Sequence, residues 1–132
     1  MKSEEKEYVR NRVTRSQETF EDAKLTFEKG HLHSAVNRLY YACYYIVTAL
    51  LFTEGLSSTK HSGVRSLFDR HWIKTKRLPV DLSRFYRDLF NHRQQADYAD
   101  RIAFSRDDVD AWFQQAAGFI ERISGEIDRA LH

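Results

Sequence analysis

Apolar residues recur at three- and four-residue intervals along almost the whole chain. No stretch alternates with the period of two that a half-buried strand needs. The first stripe is Val9, Val13, Ser16, Phe20, Ala23 and Phe27. It predicts a helix over about 5–29, with Gly30 as its stop. A second helix is expected over about 32–54, stopped by Gly55. Across 35–52 it is apolar nearly all round, so it must be covered on most sides and forms the centre of the fold. Tyr40, Tyr41, Tyr44 and Tyr45 fall close together there, and each buried hydroxyl needs a partner. The apolar run 39–52 is too short to cross a bilayer.

A third, shorter helix is expected over 61–73, with Val64, Leu67, Phe68 and Trp72 inward. The connection 74–80 is basic and broken by Pro79, after which Asp81 is placed to cap a fourth helix over 82–97. Its stripe is Leu82, Phe85, Tyr86, Leu89, Arg93 and Ala96. Residues 98–104 read as a loop. Ser105 and Asp108 then resemble a capping box that opens a last helix reaching about 131, through Val109, Trp112, Phe113, Ala116, Phe119, Ile120, Ile123 and Ile127. The fold expected is all-α: an antiparallel up-and-down four-helix bundle with one additional short helix, in a single domain over 1–132. Deep burial is expected for Leu39, Ala42, Cys43, Ile46, Phe85, Leu89, Trp112, Phe119 and Ile123.

Composition sharpens this picture in two places. The one cysteine, Cys43, lies on the apolar helix and allows no internal disulfide, which suits a reducing cytoplasm. The first residues carry no apolar segment of a secretory signal, so a cytoplasmic location is expected. Net charge is only +2, but it is unevenly spread. Residues 60–106 hold 11 basic and 5 acidic side chains, whereas 1–59 balance and 107–132 are acidic. The middle third either attracts phosphate or forms an ordinary solvated face.

One position breaks the apolar pattern. Arg93 sits on the inward stripe of the fourth helix, where a charge must be paired or must line a cleft. Asp97, one turn on, can reach it. Arg93 therefore either closes a structural ion pair or anchors a site with Asp97 and Tyr98. The start of the third helix, Lys60, His61, Ser62 and Gly63, offers free N–H groups to an anion, or is plain capping chemistry. No metal site is expected: His31 and His33 do not share a helix face, and no Cys/His cluster has zinc spacing. No phosphate-binding glycine loop or Ser-His-Asp arrangement is present, and no cofactor is expected.

Three segments together resemble the HEPN (higher eukaryotes and prokaryotes nucleotide-binding) superfamily. They are Ala35-Val36-Asn37-Arg38-Leu39-Tyr40-Tyr41-Ala42-Cys43-Tyr44, Lys60-His61-Ser62-Gly63-Val64, and Arg93-Gln94-Gln95-Ala96-Asp97-Tyr98. The nearest likeness is to small stand-alone members ending in R-x-x-A-D-Y. The resemblance implies a helical bundle that pairs into homodimers and engages RNA or a nucleotide. It also implies toxin–antitoxin or defence systems, with a minimal nucleotidyltransferase protein as partner. Many such proteins are ribonucleases with an Arg, four to six residues, then a His. Here Arg93 is followed by Tyr98 where that His belongs, so the motif is degenerate. Tyr98 is a poor base, with an unperturbed pKa of about 10, and Arg93 would hold Asp97 ionised and weakly basic. Literal Arg-to-His spacings occur at Arg65 to His71 and Arg87 to His92, and the second lies near the same helix end.

The leading expectation is a dimeric binding module for RNA or a nucleotide. Lys60, Arg65, Arg84, Arg87 and His92 would line a groove leading to Arg93, with no membrane role. The alternatives are a metal-independent ribonuclease toxin using Arg93 or Arg87 with His92, and a ligand-free interaction scaffold.

Overall fold

A computed structural model describes residues 1–98 and 103–132. Among them are five α-helices and one π-helical turn, with no strand. Helix α1 (Ser3–Glu28) begins where the Glu5 carboxylate accepts a hydrogen bond from the Lys2 backbone N–H at 3.1 Å. Its stripe meets α2 (Leu32–Phe52) over most of its length. Ser16, on that stripe, is fully buried and donates its hydroxyl to the Ala42 carbonyl at 2.7 Å. A small hydroxyl with a partner thus lets the two helices approach closely without an orphaned polar group.

Helix α2 is the centre expected from its apolar face. It packs against α1, α3, α4 (Val80–Ala96) and α5 (Arg106–Leu131). Leu39, Ala42, Cys43 and Ile46 are fully buried. The helix ends at Phe52, and the turn beyond it closes at Gly55, which takes a left-handed φ of 72° while Leu56 N–H returns to the Leu51 carbonyl at 3.0 Å. Among the described residues, no helix is long and apolar enough to cross a membrane.

The third helix is shorter in α form than its apolar spacing suggests. α3 (His61–Phe68) runs on into a π-helical turn, Asp69–Ile73. The turn buries Trp72, and it carries Asp69 to where the Ser83 hydroxyl donates to its carboxylate at 2.6 Å. Phe68 meets Tyr86 and Phe119, so α3 closes the seam between α4 and α5. Helix α4 starts two residues earlier than expected. Pro79, with φ fixed near the helical value and no N–H to satisfy, stands at its N-cap, and Asp81 lies exposed in the first turn instead of capping. Asp81 still complements the positive end of the helix dipole. At α5 the expected cap is in place: Ser105 Oγ accepts from the Asp108 N–H at 3.0 Å. Most of the 98–104 connection, residues 99–102, lies outside the described residues.

Two expected core residues are only half-buried. Phe85 and Trp112 line a surface cleft between α4 and α5 instead of interlocking in the centre. Leu89, Phe119 and Ile123 fill the position that the spacing gave to all five.

Candidate functional site

The helix that carries Arg93 packs against α2, and that contact decides what the guanidinium meets. It lies over three rings, with its centre 5.2 Å from Tyr40, 5.6 Å from Tyr41 and 5.4 Å from Phe90. Only 16% of the side chain is exposed. Nη1 points at the Tyr41 hydroxyl at 3.4 Å and at the Asp97 carboxylate at 3.6 Å, and Nε has no hydrogen-bond partner among the described residues. The ion pair with Asp97 is therefore loose, half-exposed on the Asp97 side and not bidentate. Aromatic faces hold the cation, its pairing with Asp97 is loose, and its buried Nε donor is left unsatisfied.

A histidine completes the cluster. His61 begins α3, and its Nδ1 lies 2.7 Å from the Tyr40 hydroxyl. Its ring is 4.5 Å from Tyr44 and 5.8 Å from Tyr41. Burial first, and then the nearby Arg93 charge, hold its pKa below the ordinary histidine value, so the ring is neutral at neutral pH. Burial raises the Tyr40 pKa well above that of a free phenol, so Tyr40 stays protonated and can orient the imidazole. Burial likewise raises that of Tyr44. Two segments singled out separately, the start of α3 and the end of α4, thus meet through one tyrosine of α2.

The other candidates fall in different places. Arg65 lies over the Phe90 ring at 5.5 Å and so shares that ring with Arg93. Arg84 and His92 face α5, around a cleft of about 350 Å³ that also holds Asp81, Asp88 and Trp112. There His92 lies flat on Trp112 at 3.8 Å, with Nδ1 3.4 Å from Gln95 Oε1. Arg87 and Lys60 are exposed, as is Ser62. Tyr98 is 63% exposed, just beyond α4. Gly63 is close-packed, but against Ser58 of the same chain: a Cβ there would lie 2.1 Å from the Ser58 hydroxyl.

Sequence reading had given no role to three further arginines. Arg12 lies over Tyr8 and Tyr45, Arg15 over Tyr45, and Arg38 over Tyr41, at 5.1–5.7 Å. Their signal was the i, i+1, i+4, i+5 spacing of the tyrosines, which turns Tyr41 and Tyr45 toward the edge of α2 flanked by α1.

The profile of the HEPN domain matches residues 9–127. The chain belongs to the HEPN family. Within it, the chain is 43% identical over 114 residues to a protein named “UPF0332 protein” from Thermotoga maritima, which covers 86% of each. A protein named “Putative toxin” from Methanocaldococcus jannaschii is 29% identical over 83% of this chain and 75% of its own length. A “UPF0332 protein” from Gloeobacter violaceus is 31% identical over 83% of this chain and 87% of its own length. All three similarities run over most of this HEPN domain, so they are likenesses of whole folds and not of a shared fragment.

Proposed function

We propose that this HEPN chain is a toxin-like protein that engages RNA through the Arg93 cluster. It would act as a homodimer controlled by a minimal nucleotidyltransferase partner. The observation that carries the RNA reading is Arg93 itself: a largely buried guanidinium, stacked on three rings, with a loose ion pair and an unpaired Nε. A phosphate would take the place of the loose Asp97 contact at Nη1, and a bidentate grip would also need the side chain to shift so that the buried Nε turns outward. The toxin-like role is supported by the family and by the relatives that carry that name. The dimer and the nucleotidyltransferase rest on the resemblance of the three sequence segments.

One observation favours the ribonuclease reading as well. His61 places a neutral imidazole, oriented by Tyr40, beside Arg93. In the tautomer that donates Nδ1–H to the Tyr40 oxygen, its Nε2 could accept the proton of a 2′-hydroxyl as that oxygen attacks the adjacent phosphorus, while the P–O5′ bond breaks and O5′ takes a proton from water. The imidazole missing after Arg93 in sequence would then come from another helix.

One set of measurements tests both. RNA affinity should fall steeply with salt, and Arg93→Ala should lower it by about ten-fold or more, while replacing the exposed Lys76 by alanine changes it little. Lost affinity with unchanged melting supports the site. Unchanged affinity with lower melting would refute it and make Arg93 a scaffold residue. RNA cut in the absence of metal, with cutting lost in His61→Ala, establishes the ribonuclease reading; intact RNA leaves binding alone.

A further inference from the structure

A second concave site adjoins the Arg93 cluster. It is a cleft of about 160 Å³ between α1, α2 and the 53–60 connection, lined among others by Tyr8, Arg12, Tyr44, Thr48, Phe52 and Ser57. Whole small-molecule ligands usually occupy about 300 Å³ or more. This cleft therefore suits one flat ring system, with the rest of its molecule outside. The walls favour such a ring. Tyr8 and Phe52 pack with centroids 4.4 Å apart, and Tyr44 adds a third aromatic surface.

Charge narrows the occupant further. Arg12 lies over both Tyr8 and Tyr45 and, among the described residues, has no carboxylate within ion-pair distance. A cation at the rim asks for a negative group beside the ring. Thr48 and Ser57 bring hydroxyls to the lining. The Thr48 hydroxyl donates to the Tyr45 carbonyl at 2.7 Å, so its oxygen keeps the capacity to accept a donor from a ligand.

A chain of contacts also links the cleft to the candidate RNA site. Tyr44 lines it and packs at 4.5 Å on His61, which bonds Tyr40, over which Arg93 lies. A ligand with a flat ring in the cleft and an anionic backbone leading away meets Arg12, His61 and Arg93. An aromatic side chain from a second copy of the chain would fill the ring space but bring no anion for those cations.

We propose that this cleft is a nucleobase subsite, in which one unpaired base of a single-stranded RNA stacks among Tyr8, Tyr44 and Phe52 while its backbone runs over His61 to Arg93. The proposal rests on the RNA reading of Arg93 and adds the strand form. A base held in a duplex cannot enter a cleft of this kind, whereas a splayed base stacks on aromatic walls.

The test uses a short RNA backbone that is abasic at every position but one, where it carries 2-aminopurine, and the same backbone fully abasic. The single base should raise affinity by about ten-fold, and its fluorescence should be quenched on stacking. Ser57→Trp and Thr48→Leu, which fill the cleft from two different elements, should abolish both effects and leave the fully abasic strand bound as before. A base effect that survives both variants overturns the proposal. So does a change in oligomeric mass on filling the cleft with the base effect intact, which would make it an interface between copies. Failure of the Arg93 reading shows itself separately, as an abasic strand indifferent to Arg93→Ala. In that event, free 2-aminopurine riboside, which has no phosphate, still reports on the cleft: quenching lost in both filling variants supports the subsite, and no quenching refutes it.

Discussion

Gly63 lies in the segment that sequence reading offered to a phosphate, and the structure gives its neighbour as Ser58. Replacing it by alanine isolates that contact. The new Cβ would lie 2.1 Å from the Ser58 hydroxyl oxygen and 2.9 Å from the Ser58 Cβ. The hydroxyl can rotate away, at the loss of the 3.2 Å bond it accepts from the Lys60 N–H. The Cβ cannot move without its backbone, so the 53–60 connection must shift. Overpacking of this kind costs about 1–3 kcal/mol. Against it stands the helix preference of alanine over glycine, at most about 1 kcal/mol in a helix interior and less in a first turn. Gly63→Ala should therefore destabilise by about 1–2 kcal/mol. In a Ser58→Gly background the obstacle is gone, and the same change should be neutral or stabilising by up to about 1 kcal/mol. The coupling between the two sites is then about 2 kcal/mol, well above the few tenths by which independent sites depart from additivity. Urea unfolding of the four proteins gives the cycle directly. A Gly63→Ala protein as stable as the parent, or a coupling within additivity error, would refute the packing argument. If RNA affinity also fell in that case, the glycine would instead be needed for close approach of a ligand.

In solution the chain should behave as a homodimer by light scattering at micromolar concentration, and a mass near 15.7 kDa would count against it. The pH dependence of stability should carry the mark of His61. Its folded pKa is held below the ordinary value, so its contribution is fully present above about pH 6.5 and is lost as pH falls through the lower folded value. His61→Gln should flatten the fall in melting temperature over that acid range, and an unchanged slope would show that the ring is not held neutral.

How much of this was legible depended on whether a residue's partners were local. Helix α2 was legible because an all-round apolar surface has only one destination, the centre of the fold. Arg93 was legible as an anomaly for the complementary reason, a charge on an inward stripe. Its surroundings were not, because Tyr41 is 52 residues away in sequence and the register of α4 on α2 is set by the whole core. His61 was placed correctly at a helix start, yet the nearest group to its Nδ1 is a tyrosine hydroxyl on another helix. The basic excess of 60–106 was a count along the chain, and a helix distributes such a count over different faces. Arg65 shares Phe90 with Arg93, whereas Arg84 and His92 face α5. The α4 start was misjudged because Asp81 is the better capping side chain, although Pro79 had already fixed the backbone that begins the helix. Phe85 and Trp112 match the periodicity of the core but sit at its edge, a distinction that spacing alone does not encode.

The chain uses arginine in two physically different ways. Arg77 is paired through both Nη atoms to Glu54, at 3.2 and 2.5 Å, and it also lies over Trp72 at 4.7 Å. That pair holds the Glu54 carboxyl below its usual range and raises the guanidinium pKa, so its charge is neutralised where it stands and fastens the 74–79 connection to the end of α2. Arg12, Arg15, Arg38 and Arg93 instead lie over tyrosines along one edge of α2. A ring face stabilises a guanidinium by about 0.5–1 kcal/mol at exposed sites and does not neutralise it. Of these four, only Arg93 has a carboxylate within 4 Å among the described residues, and that contact is the loose one to Asp97. The tyrosines thus hold four cations in place without neutralising them. Arg12 and Arg15 come from α1, Arg38 from α2 and Arg93 from α4, and only Arg93 belongs to the basic middle third, so the count of charges along the chain and their arrangement on the tyrosine rings pick out different arginines.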